Sequence, residues 1–357
     1  ERTMGMESVY KLSVVLNMVD QLTAPMGRAS QNLSSRLSGL QSGFGMAALA
    51  GGGMTAAGVG ITNGMMKIAG STFETQDALA ELKSLGITDL KAVEDAARQF
   101  SDTWAGTTKA DFITAAYDIK SGIASLTDEG VAQFTELAGL TAKATKSTTG
   151  EMTSLFATGY GIYKGYYSEL SDLEFGEMFA GGIATAVKAY KTSGSEMASA
   201  ISALGGTATS ANVPLEEQLS VLGMLQATMS GSEAATKYKA LLNAATGAGE
   251  KLGLNFLDAN NQLRSLPEIL GILKGKYGDT IDAVEKKQIK EAFGSDEAVA
   301  VIDLLYGKTG ELQTGILDMY DALGGGSSAA QEMATAINAT ESQKYTVLKQ
   351  RLHNVTE

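Results

Sequence analysis

From residue 71 onward, apolar side chains recur three and four positions apart, the period of a helix with one buried face. The runs are short, and many open on the same local signal. Ser71/Glu74, Thr148/Glu151, Ser171/Glu174, Ser193/Glu196, Ser230/Glu233 and Ser265/Glu268 each place a hydroxyl three residues before a glutamate. Such a pair can satisfy two free backbone donors at a helix start. Thr108/Asp111 is a weaker version, and Pro214 and Pro267 mark first turns. The pattern predicts helices over 76–85, 90–100, 109–122, 128–146, 172–191, 214–228 and 233–246, within about a dozen of roughly 10–20 residues in all. The fold class expected is therefore mainly α, a multi-helix body with little else.

Two stretches break the rhythm. Residues 254–264 run Leu-Asn-Phe-Leu, then Asp258-Ala259-Asn260-Asn261, then Gln-Leu-Arg, which predicts a small β-hairpin around an Asx-rich turn. Gly324-Gly325-Gly326-Ser327-Ser328 reads as a linker. Beyond it, 329–357 reads as one helix without a stop signal, so the chain looks cut within its own pattern. Three units follow: 1–70, a helical core over 71–323, and 324–357 as linker and the start of a longer helix.

The first unit is different. Leu12, Val14, Leu16 and Met18 alternate with polar neighbours as in a strand, which predicts a short strand to about Val19 and a helix entered at Thr23-Ala24-Pro25. One continuous helix from residue 10 is the competing reading. Val15, Val19, Leu22, Met26, Ala29, Leu33, Leu37 and Leu40 step by fours and threes, the spacing of a coiled-coil seam between copies of a chain. Residues 37–66 then carry no charge and nine glycines. Phe44, Met46, Leu49, Met54, Val59, Ile61, Met65 and Met66 give this stretch the length of a membrane span, about 20 apolar residues. Glycine costs roughly 1 kcal/mol per helical position, however, so a constitutive anchor is not expected. A packed hairpin, a helix contact in an oligomer and a latent membrane-active segment all remain open for it.

Composition narrows the chemistry. The absence of cysteine removes thiolate metal sites and cysteine nucleophiles, and a single histidine, His353, removes sites that need two imidazoles. A net charge of −12 argues against nucleic acid as a specific partner, since phosphate binding needs clustered Lys and Arg. Residues 1–70 hold five basic and three acidic residues, so the acidity belongs to the remainder. Gly307-Lys308-Thr309 imitates the end of a phosphate-binding loop, but Ile302 stands where the leading glycine belongs. The cluster Phe156, Tyr160, Tyr163, Tyr166 and Tyr167 follows one helical side and reads as core or subunit contact ahead of a ligand platform; Trp104 reads as a cap over a helix pair. No catalytic residue, cofactor-binding residue or metal ligand is expected. Glu1–Thr3, ahead of Met4 and Met6, read as an added remnant.

The run from Tyr10 to Pro25, Tyr-Lys-Leu-Ser-Val-Val-Leu-Asn-Met-Val-Asp-Gln-Leu-Thr-Ala-Pro, resembles the N-terminal signature of phage tail tape-measure proteins. The Gly/Ala/Met-rich stretch after it fits the same family. So do Leu82-Lys83-Ser84-Leu85-Gly86-Ile87, Leu126-Thr127-Asp128-Glu129-Gly130 and Leu137-Ala138-Gly139-Leu140. Asn212-Val213-Pro214-Leu215-Glu216-Glu217, followed by Leu222-Gly223-Met224-Leu225 and Gly231-Ser232-Glu233-Ala234, is the most specific block. The likeness covers about 10–320. It implies a structural protein of the virion tail that occupies the tube lumen, sets tube length during assembly in the host cytoplasm, and leaves at delivery. Implied partners are the tail-tube protein, tail assembly chaperones and tail-tip or baseplate proteins, with a homo-oligomer, a trimer by preference, and membrane contact after release. Other readings are a cell-wall-active tail component with a peptidoglycan hydrolase, and a helical scaffold unrelated to phage.

Overall fold

A computed structural model of the chain describes residues 73–356. Those residues form an all-α body: a leading helix over 73–84, then fifteen α-helices joined by short turns. We number them α1 (Leu90–Thr103), α2 (Lys109–Gly122), α3 (Asp128–Thr145), α4 (Thr149–Tyr163), α5 (Asp172–Ala189), α6 (Gly194–Leu204), α7 (Thr207–Ser210), α8 (Leu215–Leu225), α9 (Gly231–Leu252), α10 (Leu266–Tyr277), α11 (Ala283–Phe293), α12 (Asp296–Leu305), α13 (Thr309–Gly324), α14 (Ser328–Asn338) and α15 (Glu341–Thr356).

The caps read from the sequence form the helix starts. Thr108, Thr148, Ser171 and Ser265 each accept the backbone N–H three residues on, and the carboxylate there returns a bond to the cap's own N–H. Ser193 and Ser230 cap their helices by the hydroxyl, while their partner glutamates turn elsewhere: Glu196 accepts from Gly231 N of α9 at 2.5 Å, and Glu233 pairs with Lys237. Ser71 lies outside the described residues. Asp282 closes a further box with Glu285, a carboxylate standing where the others have a hydroxyl.

Helix α3 is the hub of the first half. It packs against α1, α2, α4, α5 and α14, and twelve of its eighteen residues are buried. Phe134 and Phe156 meet edge-on at 6.3 Å, and Phe156 meets Phe179 of α5 at 5.3 Å. Each fully buried phenyl of this kind contributes about 1.5–3 kcal/mol. Phe156 and Tyr163 are buried, Tyr160 and Tyr167 pack at the edge, and Tyr166 is exposed, so the aromatic cluster is mainly core. Helix α9 plays the same role in the second half, against α6, α11 and α12. It runs past the expected end at 246 to Leu252, because Ala248, Gly249 and Leu252 are buried by packing and only the left-handed Gly253 stops it.

Elsewhere the structure departs from the pattern. Residues 254–264 do not build paired strands; a single antiparallel bridge joins Leu257 to Leu263, and Asp258 closes the turn by accepting from Asn260 N and Gln262 N. The 324–328 glycine run is a tight turn packed on α5. A Cβ on Gly181 would stand 1.9 Å from the Gly326 carbonyl oxygen, so two backbones touch where only glycine fits. The single helix expected over 329–357 is broken at Ala339–Thr340. Asn338 at that break accepts from Ala105 N at 3.1 Å and donates to Thr103 O at 2.8 Å. Tertiary hydrogen bonds therefore end α14 and turn α15 back onto α1.

Candidate functional site

The return of α14 and α15 creates the site. Helix α14 lies over the groove between α3 and α5, and beneath it remains a cleft of about 280 Å³. Its floor is apolar: Phe100 and Trp104 from the end of α1, Leu137 and Leu140 from α3, Leu173 from α5. Gly139 keeps this floor low, since a Cβ there would press 2.7 Å from the Phe100 ring. Amides and hydroxyls of Gln99, Thr103, Gln133, Ser327, Gln331 and Thr335 surround the mouth.

Two carboxylates enter from opposite helices, Glu136 of α3 and Glu177 of α5. Burial pushes the Glu136 carboxyl up to about 7. Burial, and then the nearby Glu174 charge, also raises Glu177. Neither has a hydrogen-bond or ion-pair partner among the described residues. The lysine on the same face of the chain, Lys143, is held by Ala105 O at 2.8 Å and by Gln343. Lys188 of α5 is held by Glu332 at 3.1 Å.

What can this arrangement do? A glycosidase-type pair needs one carboxyl kept protonated and the other kept ionised, so their environments must push them apart. Here both move the same way, for the same reason. The site is instead a pocket with an aromatic wall whose only ionisable lining groups are two carboxylates, suited to a group that brings its own positive charge and donors. No cluster of three or more metal-ligating side chains occurs among the described residues. A second hollow, of about 520 Å³ between α5 and α13, is open, with Tyr190, Glu311 and Asp318 on its rim.

A third polar group is structural. Glu217 of α8 is buried and accepts from Leu266 N of α10 at 2.7 Å, capping that helix from afar. Burial raises its carboxyl to about 7 against that hydrogen bond.

The residues singled out from the sequence as an oligomer seam (Val15, Val19, Leu22, Met26, Ala29, Leu33, Leu37, Leu40) lie outside the described residues, as do Phe44, Met46, Leu49, Met54, Val59, Ile61, Met65 and Met66. Among the described residues, no helix is long and apolar enough to cross a membrane. Gly307 and Lys308 sit in a 3-10 turn between α12 and α13, with no strand before them. Trp104 lies over the α1 end as one wall of the cleft. Glu136 and Glu177 were not singled out, although each is the lone charge in an otherwise uncharged run, 130–142 and 175–187. A single acid inside an apolar helix stripe was the signal.

Fold and cleft together define, over the described residues, a helical packing body with a polar recess roofed in part by α14. Comparison with known families matches residues 94–294, more than half of the chain, to the phage-related minor tail proteins. The chain belongs to that family, whose members are structural parts of the virion tail. No curated protein and no solved structure matches it.

Proposed function

We propose that this tail protein is a tape measure: it lies in the tube lumen, sets tube length during assembly in the host cytoplasm, and is released when the particle delivers its cargo. The observation that supports this most is the locality of the helix caps. Asp89, Thr108, Thr127, Thr148, Ser171 and Ser265 each accept from the backbone N–H three residues further on, so these ends survive when tertiary packing is lost. A body built this way can be drawn out into a string of intact helices. At ~1.5 Å per residue a wholly helical chain of this length reaches roughly 540 Å, whereas the compact state has a radius of gyration near 20 Å.

Free helices shorter than ~12–15 residues are marginal in water, so the string needs walls. The tail-tube protein supplies them in this reading, with assembly chaperones holding the chain beforehand and tip or baseplate proteins receiving its end. A homo-oligomer, a trimer by preference, forms through the 15–40 seam, and the 44–66 segment meets lipid only after release. The acidic body keeps the chain from adhering to DNA in the same channel, because like charges repel. No chemical step is assigned to it.

In-frame removal of whole capped helices from the full gene tests the reading. Tails measured by electron microscopy should shorten in proportion to the residues removed. Tails of unchanged length would overturn it.

A further inference from the structure

The cleft under α14 is built to receive something. Its volume of about 280 Å³ suits one side chain and not a polymer. Its wall carries an indole and a phenyl whose centroids lie 6.5 Å apart. Its two ionisable groups, Glu136 and Glu177, face it without a cation, and the lysines nearest in the chain are engaged elsewhere. Removal from water with no cation beside it disfavours the charged form, which pushes the Glu136 carboxyl up to about 7. An apolar floor and a rim whose only ionisable groups are carboxylates match a group with an apolar stem and a charged donor head, and an aromatic face adds cation–π attraction. The chain's charge agrees, since everything outside the first 70 residues sums to −14, the total of −12 less their +2.

We propose that this cleft is a recognition pocket for one basic side chain, an arginine or lysine that a protein partner inserts between Trp104 and the carboxylates of Glu136 and Glu177. The planar five-donor guanidinium fits such a rim better than a point charge does, so arginine binds more tightly than lysine. Binding favours the ionised form of Glu136. Below about pH 7 a proton must leave first, and affinity falls as pH falls, by up to about tenfold per unit. The other titratable group lining the cleft is Glu177 of α5; α1 presents Gln99 and Thr103, and α14 presents Gln331 and Thr335.

Trp104 is the chain's single tryptophan, so its emission reports on this cleft alone. The full chain is titrated with the blocked pentapeptide Ala-Ala-Arg-Ala-Ala, its lysine analogue and its uncharged citrulline analogue, at pH 6 and pH 8. The arginine peptide should give a saturable change, tighter at pH 8, and the citrulline peptide none. Glu136→Gln should weaken the arginine peptide by tenfold or more, and Glu177→Gln should weaken it as well. Equal binding of the citrulline peptide, affinity indifferent to pH, or unchanged binding in both variants would overturn the proposal. A response to free 1,5-diaminopentane without one to either basic peptide would overturn the protein source. Should Glu136→Gln fail to fold, the wild-type citrulline and pH comparisons still decide.

Discussion

Adding one methyl group at Gly181 should loosen the body where its last helices dock. A Cβ there would meet the Gly326 carbonyl oxygen at 1.9 Å and its carbon at 3.0 Å, whereas ordinary contact begins at 3.4 Å. The two backbones must separate by about 1.5 Å, and no rotamer change can help because neither clashing atom belongs to a side chain. Overpacking of this kind costs about 1–3 kcal/mol. Alanine recovers up to about 1 kcal/mol of helix propensity at the same position, leaving a net loss of up to about 2 kcal/mol for Gly181→Ala. Gly271, inside α10 with nothing within 4 Å of its missing Cβ, is the matched control. Gly271→Ala should stabilise by up to about 1 kcal/mol, since only the propensity gain applies. Urea unfolding with linear extrapolation measures both; the propensity gain is common to the two, so the expected gap is the overpacking cost of about 1–3 kcal/mol. Trp104 emission should also shift to the red in Gly181→Ala at zero urea, as the turn carrying Ser327 lifts from the cleft. Two variants of equal stability, within about 0.5 kcal/mol, would refute the claim that this contact is tight.

Three further outcomes follow from the structure. Glu136 and Glu217 are carboxyls whose folded pKa lies above the unfolded one, so their contribution is fully present below about pH 4.5 and is lost as pH rises through about 7. Glu217→Gln keeps an acceptor for Leu266 N without the charge; it should raise stability at pH 8 by about 1–3 kcal/mol and flatten the fall between pH 5 and 8 in urea titrations. Ser171→Ala removes the hydroxyl that caps α5 and should cost about 0.5–2 kcal/mol in the same assay, whereas no loss would mean that packing alone sets this helix end. Gln350 donates to the carbonyls of Ser101, Trp104 and Thr107; Gln350→Ala should speed amide exchange in α15 at least tenfold while α3 and α9 keep their protection.

The helices were legible because their starts are local. A hydroxyl and a carboxylate three residues apart need nothing but each other, and α2 opens and closes where its pattern says. The misreadings share the opposite cause. Gly324–Ser328 has linker composition, yet its conformation is set by Gly181, more than a hundred residues earlier. The helix over 329–357 breaks because Asn338 finds partners at Thr103 and Ala105. The hairpin at 254–264 was seen, but with one bridge in place of strands. The cleft was hidden for the same reason: Glu136 and Glu177 meet only through the packing of α3 on α5 under α14, and sequence spacing carries no trace of that encounter.

The docking of α15 on α1 has a consequence for biosynthesis. Asn354 donates to Asp102 Oδ1 across 252 positions of chain, and Gln350 reaches Ser101 across 249. At ~5–20 residues per second, a ribosome needs about 10–50 s to pass from one partner to the other. Within that interval α5 is complete at Ala189 while α14 begins only at Ser328, so for about 7–28 s the nascent polypeptide displays an unroofed α3–α5 groove, a built-in waiting period in which a chaperone, or another tail component, can reach the recess before α14 covers it.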